Sequence, residues 1–138
     1  MSTLVASIKD IQSVDSLNIV TFDFNGIELK MMSLDLADEV QVGRKASLAI
    51  KATSVAVAKE FSGEISYANK IHASILEVNN GELLSSIKLQ ANGNVFESLM
   101  TLESSIKMQL AKGDRVIALL KAGELSISEI IEVDNDND

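Results

Sequence analysis

A chain of 138 residues with 46% hydrophobic composition has room for one ordinary domain or for two small ones of about 65 to 70 residues. Units that small are marginal alone and favour pairing with a second copy or another chain. Twenty acidic against twelve basic residues give a net charge of −8, which repels phosphate backbones and anionic lipid where no basic patch is present, and none is evident. The absence of Cys excludes a disulfide framework and thiolate metal sites. With no leader-like N-terminal stretch and no apolar run near the roughly 20 residues that span a bilayer, the chain reads as soluble and cytoplasmic, without a membrane partner.

In chain order, "LVASIKDI", "LNIVTFDF" and "IELKMM" alternate apolar and polar residues and predict three strands, the last two joined at Asn25-Gly26, the strongest short hairpin signal. "SLDLADEVQVG" spaces its apolar residues at three and four and ends on Gly43, which predicts a helix of about two turns. "ASLAIKA" and "SVAVA" predict two more strands. The pattern then begins again. "IHASILEV", "LLSSIKLQA" and "VFESLM" are strands with Asn92-Gly93 between the last two, "LESSIKMQLAKG" is a helix ending at Gly113, and "RVIALLKA" and "LSISEII" are strands.

The recurrence is an internal repeat. Ile8, Ile11, Phe22, Asn25 and Gly26 fall 67 positions before Ile75, Val78, Leu89, Asn92 and Gly93, whereas Gly43, Lys51 and Ala52 fall 70 before Gly113, Lys121 and Ala122. Three extra residues after Gly93 account for the change, at a hairpin loop able to absorb them. Each copy is a βββαββ unit, the element list of a small OB-like barrel. The predicted fold is all-β with short helices: two OB-like five-stranded barrel domains, over 1–62 and 63–133, and a disordered acidic tail over 134–138. The tail's "DNDND" opens like a calcium loop but lacks the glycine and the closing Glu.

"SYANKIHASILEVNNGELLSSIKL" followed by "MTLESSIKMQLAKGDRVIALLKA" resembles the molybdate-binding Mop domain of the TOBE superfamily. The shared pattern is carried by Ser66, Asn69, Gly81, Thr101, Ser104, Gly113, Lys121 and Ala122, and in the first copy by Gly43 and the Lys51-Ala52-Thr53 run. The whole is similar to tandem Mop chains of the molbindin kind. That resemblance implies an OB-like fold, binding of molybdate or tungstate with no organic cofactor, and trimers of two-domain chains with sites between domains. The oxyanion-binding set it implies is Ser66, Asn69, Thr101, Ser104, Lys121, Ala122, Lys51, Ala52 and Thr53. Where the family often has Arg before that Asn, this chain has Ala68, and Met31 and Leu34 stand at the first-copy positions taken as equivalent to Thr101 and Ser104.

The residue types suit the chemistry. A tetrahedral dianion offers only acceptor oxygens, so its pocket needs hydroxyls, an ammonium group and free backbone N–H groups. Thr101 and Ser104 straddle a predicted helix start, where such N–H groups are found; the plain alternative is an N-cap and nothing more. Lys51 and Lys121 are either ligand donors or solvated strand residues, and their equivalent placement favours the first. His72 lies on the outward phase of its strand, and the Met and Phe residues read as core filler. Neither a nucleophile with a base beside it nor a metal-ligand set is present, so no enzyme is read here. With 4% aromatic residues the chain lacks the stacking platforms of an OB-type nucleic-acid binder. The reading is a cytoplasmic molybdate or tungstate store or buffer; the alternative is an oligomeric regulatory or interaction module that has kept the barrel and lost the ligand.

Overall fold

The computed structural model describes residues 2–131; the predicted acidic tail lies outside the described residues. Ten strands and one helix follow in order: β1 (Ser2–Val14), β2 (Leu17–Phe24), β3 (Ile27–Ser33), β4 (Lys45–Ile50), β5 (Ala56–Ala58), β6 (Asn69–Asn80), β7 (Leu84–Ala91), β8 (Asn94–Thr101), α1 (Leu102–Lys107), β9 (Arg115–Leu120) and β10 (Ser126–Ile131). Single 3₁₀ turns, Ala52–Ser54 and Ala122–Glu124, precede β5 and β10. The fold is all-β, with two curled, OB-like sheets of five strands each.

The sheets do not follow the sequence repeats. Their orders are β10-β4-β1-β2-β3 and β5-β9-β6-β7-β8, so each repeat lends its last strand to the other. Ser126 pairs with Ala49 and Ile127 with Leu48, while Ala56 pairs with Leu119 and Ala58 with Ile117. An uncovered edge of β4 or β9 would leave a row of backbone groups unpaired, and the exchanged strand supplies the partners. Buried residues of both repeats form one continuous core, with Phe22, Phe24 and Phe96 fully enclosed.

Both Asn-Gly hairpins form as expected. Asn25 and Gly26 have φ of 50° and 91°, Asn92 and Gly93 50° and 80°, the positive pair that a type I′ turn requires. Their loops are the same length, since Phe24 pairs with Ile27 and Ala91 with Asn94. The three extra residues are therefore not at the hairpin. By register Leu34, beyond the Asn18–Ser33 pair, occupies the place of Thr101, which faces Leu84. Twelve positions then separate Thr101 from Gly113 and nine separate Leu34 from Gly43. The difference is close to one helical turn, and it decides the local structure. The second copy forms α1, whereas the predicted first-copy helix over 33–43 does not form.

Capping reinforces that outcome. Thr101 Oγ1 accepts a hydrogen bond from the Ser104 N–H (3.2 Å) at the start of α1. In the first copy Ser33 Oγ instead donates to the Asp35 carbonyl (2.6 Å) and accepts from the Asp35 N–H (3.3 Å), a local turn that competes with helix. Past this segment the copies converge again. Gly43 N–H donates to the Ile8 carbonyl and Gly113 N–H to the Ile75 carbonyl, both at 2.8 Å, next to matching bulges after Ile8 and Ile75.

One buried side chain joins the halves directly. Asn69, fully enclosed at the start of β6, accepts from the Lys30 N–H (2.6 Å) and donates to the Lys30 carbonyl (2.9 Å). Its carboxamide thus completes the β3 backbone as a further strand would. Asn69→Ala should lower stability by roughly 2 to 3 kcal/mol, because it leaves a buried donor and acceptor unpaired; urea denaturation followed by far-ultraviolet circular dichroism checks this, and an unchanged midpoint would rule the joint out.

Candidate functional site

Of the residues singled out from sequence, Lys51, Ala52, Thr53, Lys121 and Ala122 lie at the crossings. β4 ends at Ile50 and β9 at Leu120, and each is followed by a lysine in extended conformation, Lys51 (φ −82°, ψ 129°) or Lys121 (φ −73°, ψ 150°). A 3₁₀ turn comes next, held by the Ser54 N–H on the Lys51 carbonyl (2.9 Å) and the Glu124 N–H on the Lys121 carbonyl (3.0 Å). Both lysines are exposed. Among the described residues neither ammonium group has a hydrogen-bond or ion-pair partner within the chain.

The crossing brings residues of opposite repeats into one pocket of about 290 Å³, lined by Ala49, Lys51 and Ser54 from one side and by Gly123, Glu124 and Ser126 from the other. Ser54, Ser126 and Glu124 were missed in sequence. Positions 54 and 124 are equivalent in the repeat and lie two residues beyond the Lys-Ala pairs, so alignment of the copies was the signal that could have found them. Thr53 is exposed, and Ala52 and Ala122 are half-buried beside their lysines.

Other candidates are placed differently. Asn69 stands opposite Leu120 in the ladder, one residue from Lys121, but the polar atoms of its side chain are engaged with Lys30. Ser66, three residues earlier, is exposed in the segment leading into β6. Thr101 and Ser104 lie apart from the Lys51 pocket. Thr101 Oγ1 donates to Ser104 Oγ (2.9 Å), and Thr101 borders a separate apolar groove with Leu83, Leu84 and Ile106. Within one chain the Thr101 hydroxyl caps α1, and Ser104 lies in the first turn of that helix. His72 is exposed, as expected. Among the described residues no group of three or more His, Asp or Glu is arranged to hold a metal, and no helix is long and apolar enough to cross a membrane.

The exchanged β5 is locked to its host by charge. Lys59, just beyond β5, donates to the carbonyls of Met108 (3.1 Å) and Gln109 (3.0 Å) at the end of α1 and pairs with Asp114 at 3.1 Å. A cation on those terminal carbonyls also complements the helix dipole. The Lys59 hydrogen bond, followed by one from the Ala111 N–H (2.9 Å), holds the Asp114 carboxyl below its ordinary value.

Residues 65–127 match the family model of the TOBE domain. Among solved structures, the chain is similar to the cytoplasmic molybdate-binding protein ModG in a form with molybdate bound, at 18% identity over 91% of this chain and 93% of that one, with a TM-score of 0.85. It is also similar to a molybdate-binding protein from Sporomusa ovata, at 30% identity over 53% of this chain and 100% of that one, with a TM-score of 0.44. No curated protein matches the chain in sequence. The ModG likeness extends to the two-unit fold.

Because the folded-state pKa of Asp114 is depressed, its contribution to stability is complete above the ordinary carboxylate value, about 4, and is lost as the pH falls through the lower folded value. Lys59→Met should make thermal stability less steeply dependent on pH below about 4. Melting curves from pH 2 to 6 for the two proteins would read this, and parallel pH profiles would contradict it.

Proposed function

We propose, from the TOBE match over residues 65–127, that the chain binds molybdate or tungstate as a non-catalytic cytoplasmic store or buffer, at sites built on the crossings. The observation that carries the reading is the pair of uncommitted ammonium groups, Lys51 and Lys121, at equivalent points where the halves exchange strands. An oxyanion takes hydrogen bonds from such a group, from adjacent backbone N–H groups and from hydroxyls such as Ser54, Ser66 and Thr53. Ala52 and Ala122 contribute close backbone approach. A charge-assisted bond nets about 1.5 to 3 kcal/mol, so a few donors are enough for micromolar affinity or better.

The sites are completed by assembly into a trimer of two-unit chains. Exposed Leu83, Leu84 and Ile106 beside Thr101 give the second unit an apolar face to bury between chains, and that contact carries Thr101 and Ser104 towards a neighbour's crossing. Asn69 serves the site indirectly, by fixing where β6 begins next to Lys121. A second reading, a module of the same fold that has lost the ligand, draws its support from Glu124, whose carboxylate shares the Lys51 pocket and opposes a dianion there.

Four outcomes are expected, all read by calorimetric titration at constant ionic strength with the oligomeric state checked by light scattering. Molybdate and tungstate should bind, with sulfate at least about tenfold weaker, because its shorter bonds leave donors unmatched at about 1 to 3 kcal/mol each. Lys121→Ala should weaken binding roughly ten- to hundredfold. Lys51→Ala should cost less, and Glu124→Gln should strengthen binding by about 1 kcal/mol, roughly fivefold, by removing a repelling charge. Heat-silent titrations with every oxyanion on a trimeric protein would favour the second reading. A monomer at micromolar concentration would remove the interchain sites.

A further inference from the structure

A second, larger cleft, sharing no residue with the Lys51 pocket, lies beside the far end of the exchanged β5, where the β2–β3 hairpin of the first unit meets the outer face of the second sheet. It has a volume of about 720 Å³, within the range of small-molecule sites and well above the 290 Å³ of the Lys51 pocket. Strand register dictates what its floor presents. Ile71, Ala73, Val116 and Ala118 face the core, so the alternate residues of β6 and β9 point outward. Ser74 pairs with both Gln90 and Arg115, and His72 pairs with Ile117. Two adjacent rows therefore place Gln90, Ser74 and Arg115 beside His72 on one surface. Phe61, 37% exposed, and Asn25 of the other unit border the same cleft.

The charge there differs from the rest of the chain. Against a net −8 overall, the cleft gathers the chain's one His and one of its two Arg, with Glu60 as the only carboxylate in its lining. Among the described residues neither Arg115 nor His72 has a side-chain hydrogen bond or ion pair within the chain. An exposed guanidinium with all its donors free is a fork for a planar carboxylate. The amides of Gln90 and Asn25 supply further donors, and Phe61 offers a flat apolar face next to them.

We infer that this cleft is a ligand site separate from the oxyanion sites, and that it takes a small organic carboxylate carrying an apolar ring. Arg115 holds the carboxylate, Phe61 covers the ring, and His72 and Gln90 line the floor. With one Arg against one Glu, the lining suits a single carboxylate better than a polyanion. The size of the cleft argues the same way, since a tetrahedral oxyanion alone would fill little of it.

The single histidine makes the test direct, because its imidazole gives one set of resonances in the proton spectrum of the whole protein. Benzoate is the probe; acetate lacks the ring and phenol lacks the carboxylate. Benzoate should move the His72 signals saturably, with acetate and phenol about tenfold weaker or more. Arg115→Gln should weaken benzoate by about tenfold or more, the worth of a lost charge-assisted bond, while leaving molybdate titrations unchanged. Phe61→Ala should reduce benzoate affinity towards that of acetate, and Lys121→Ala should leave the benzoate response as it was. The assignment is overturned if benzoate leaves the His72 signals in place, if Arg115→Gln binds it equally well, or if Lys121→Ala abolishes the response, which would move the carboxylate to the crossings.

Discussion

Neither half of this chain can finish its own sheet. β4 and β9 each need a neighbour on the side away from β1 or β6, and that neighbour is the last strand of the other half. A strand edge of buried apolar residues is costly to leave open, so the exchange fixes how the halves meet. From it follow the single continuous core, the lock of Lys59 on α1 and Asp114, and the meeting of the two Lys-Ala runs near one another. Two repeats are the minimum that satisfies the geometry.

The halves are nonetheless unequal partners, and a short deletion is the main cause. Removing about one turn between Leu34 and Gly43 leaves a loop where the second copy has α1. In the second copy the helix closes over the sheet with Ser105 and Leu110 buried. In the first, Leu34 is left 68% exposed, and the loop borders a groove of about 830 Å³ against β10. The joint at Asn69 is one-sided too, since its counterpart by register in β1 is Ser2, a side chain too short to span both backbone groups of a neighbouring strand. Several positions that differ between the copies, Asn69 and the α1 segment among them, are those where one half reaches into the other.

Much of the fold could be read from the chain because its signals are local. Alternation sets the strands, Asn-Gly sets both hairpins through positive φ, and Thr101 caps the helix it begins. The first-copy helix failed as a reading because apolar spacing over 33–43 does not reveal how many residues are available to close a turn. The insertion was set at the hairpin because the offset changes somewhere between Gly26 and Gly43, and only strand register shows where. Strand exchange left no trace at all, since a strand's own residues are the same whichever sheet it joins. The candidate site was half visible. Lys51 and Lys121 announced themselves by recurrence, whereas Glu124 and Ser126 matter only because the crossing sets them beside the opposite repeat, and the burial of Asn69 against Lys30 depends on a contact 39 residues away in sequence.

How a chain of net charge −8 could hold a dianion is a question of distance. At physiological ionic strength charges are screened over about 8 Å, so the acids spread over the two sheets would act weakly on an oxyanion held at the crossings as proposed. The nearest groups decide the local potential. At the Lys51 pocket those are one ammonium and one carboxylate, Glu124, which come close to cancelling and leave backbone N–H groups and hydroxyls as the donors. The first repeat's turn, Ala52–Ser54, carries hydroxyls where the second repeat's carries Gly123 and Glu124. Strand exchange sets the Lys51 pocket against the acid-bearing turn, while the Ala56–Leu119 pairing brings the strand that follows the hydroxyl-bearing turn alongside the end of β9, just before Lys121. On the proposed reading, the lysine in the copy with the more complete motif would then have the less repulsive surroundings, and the imbalance in charge would reinforce the imbalance in fold.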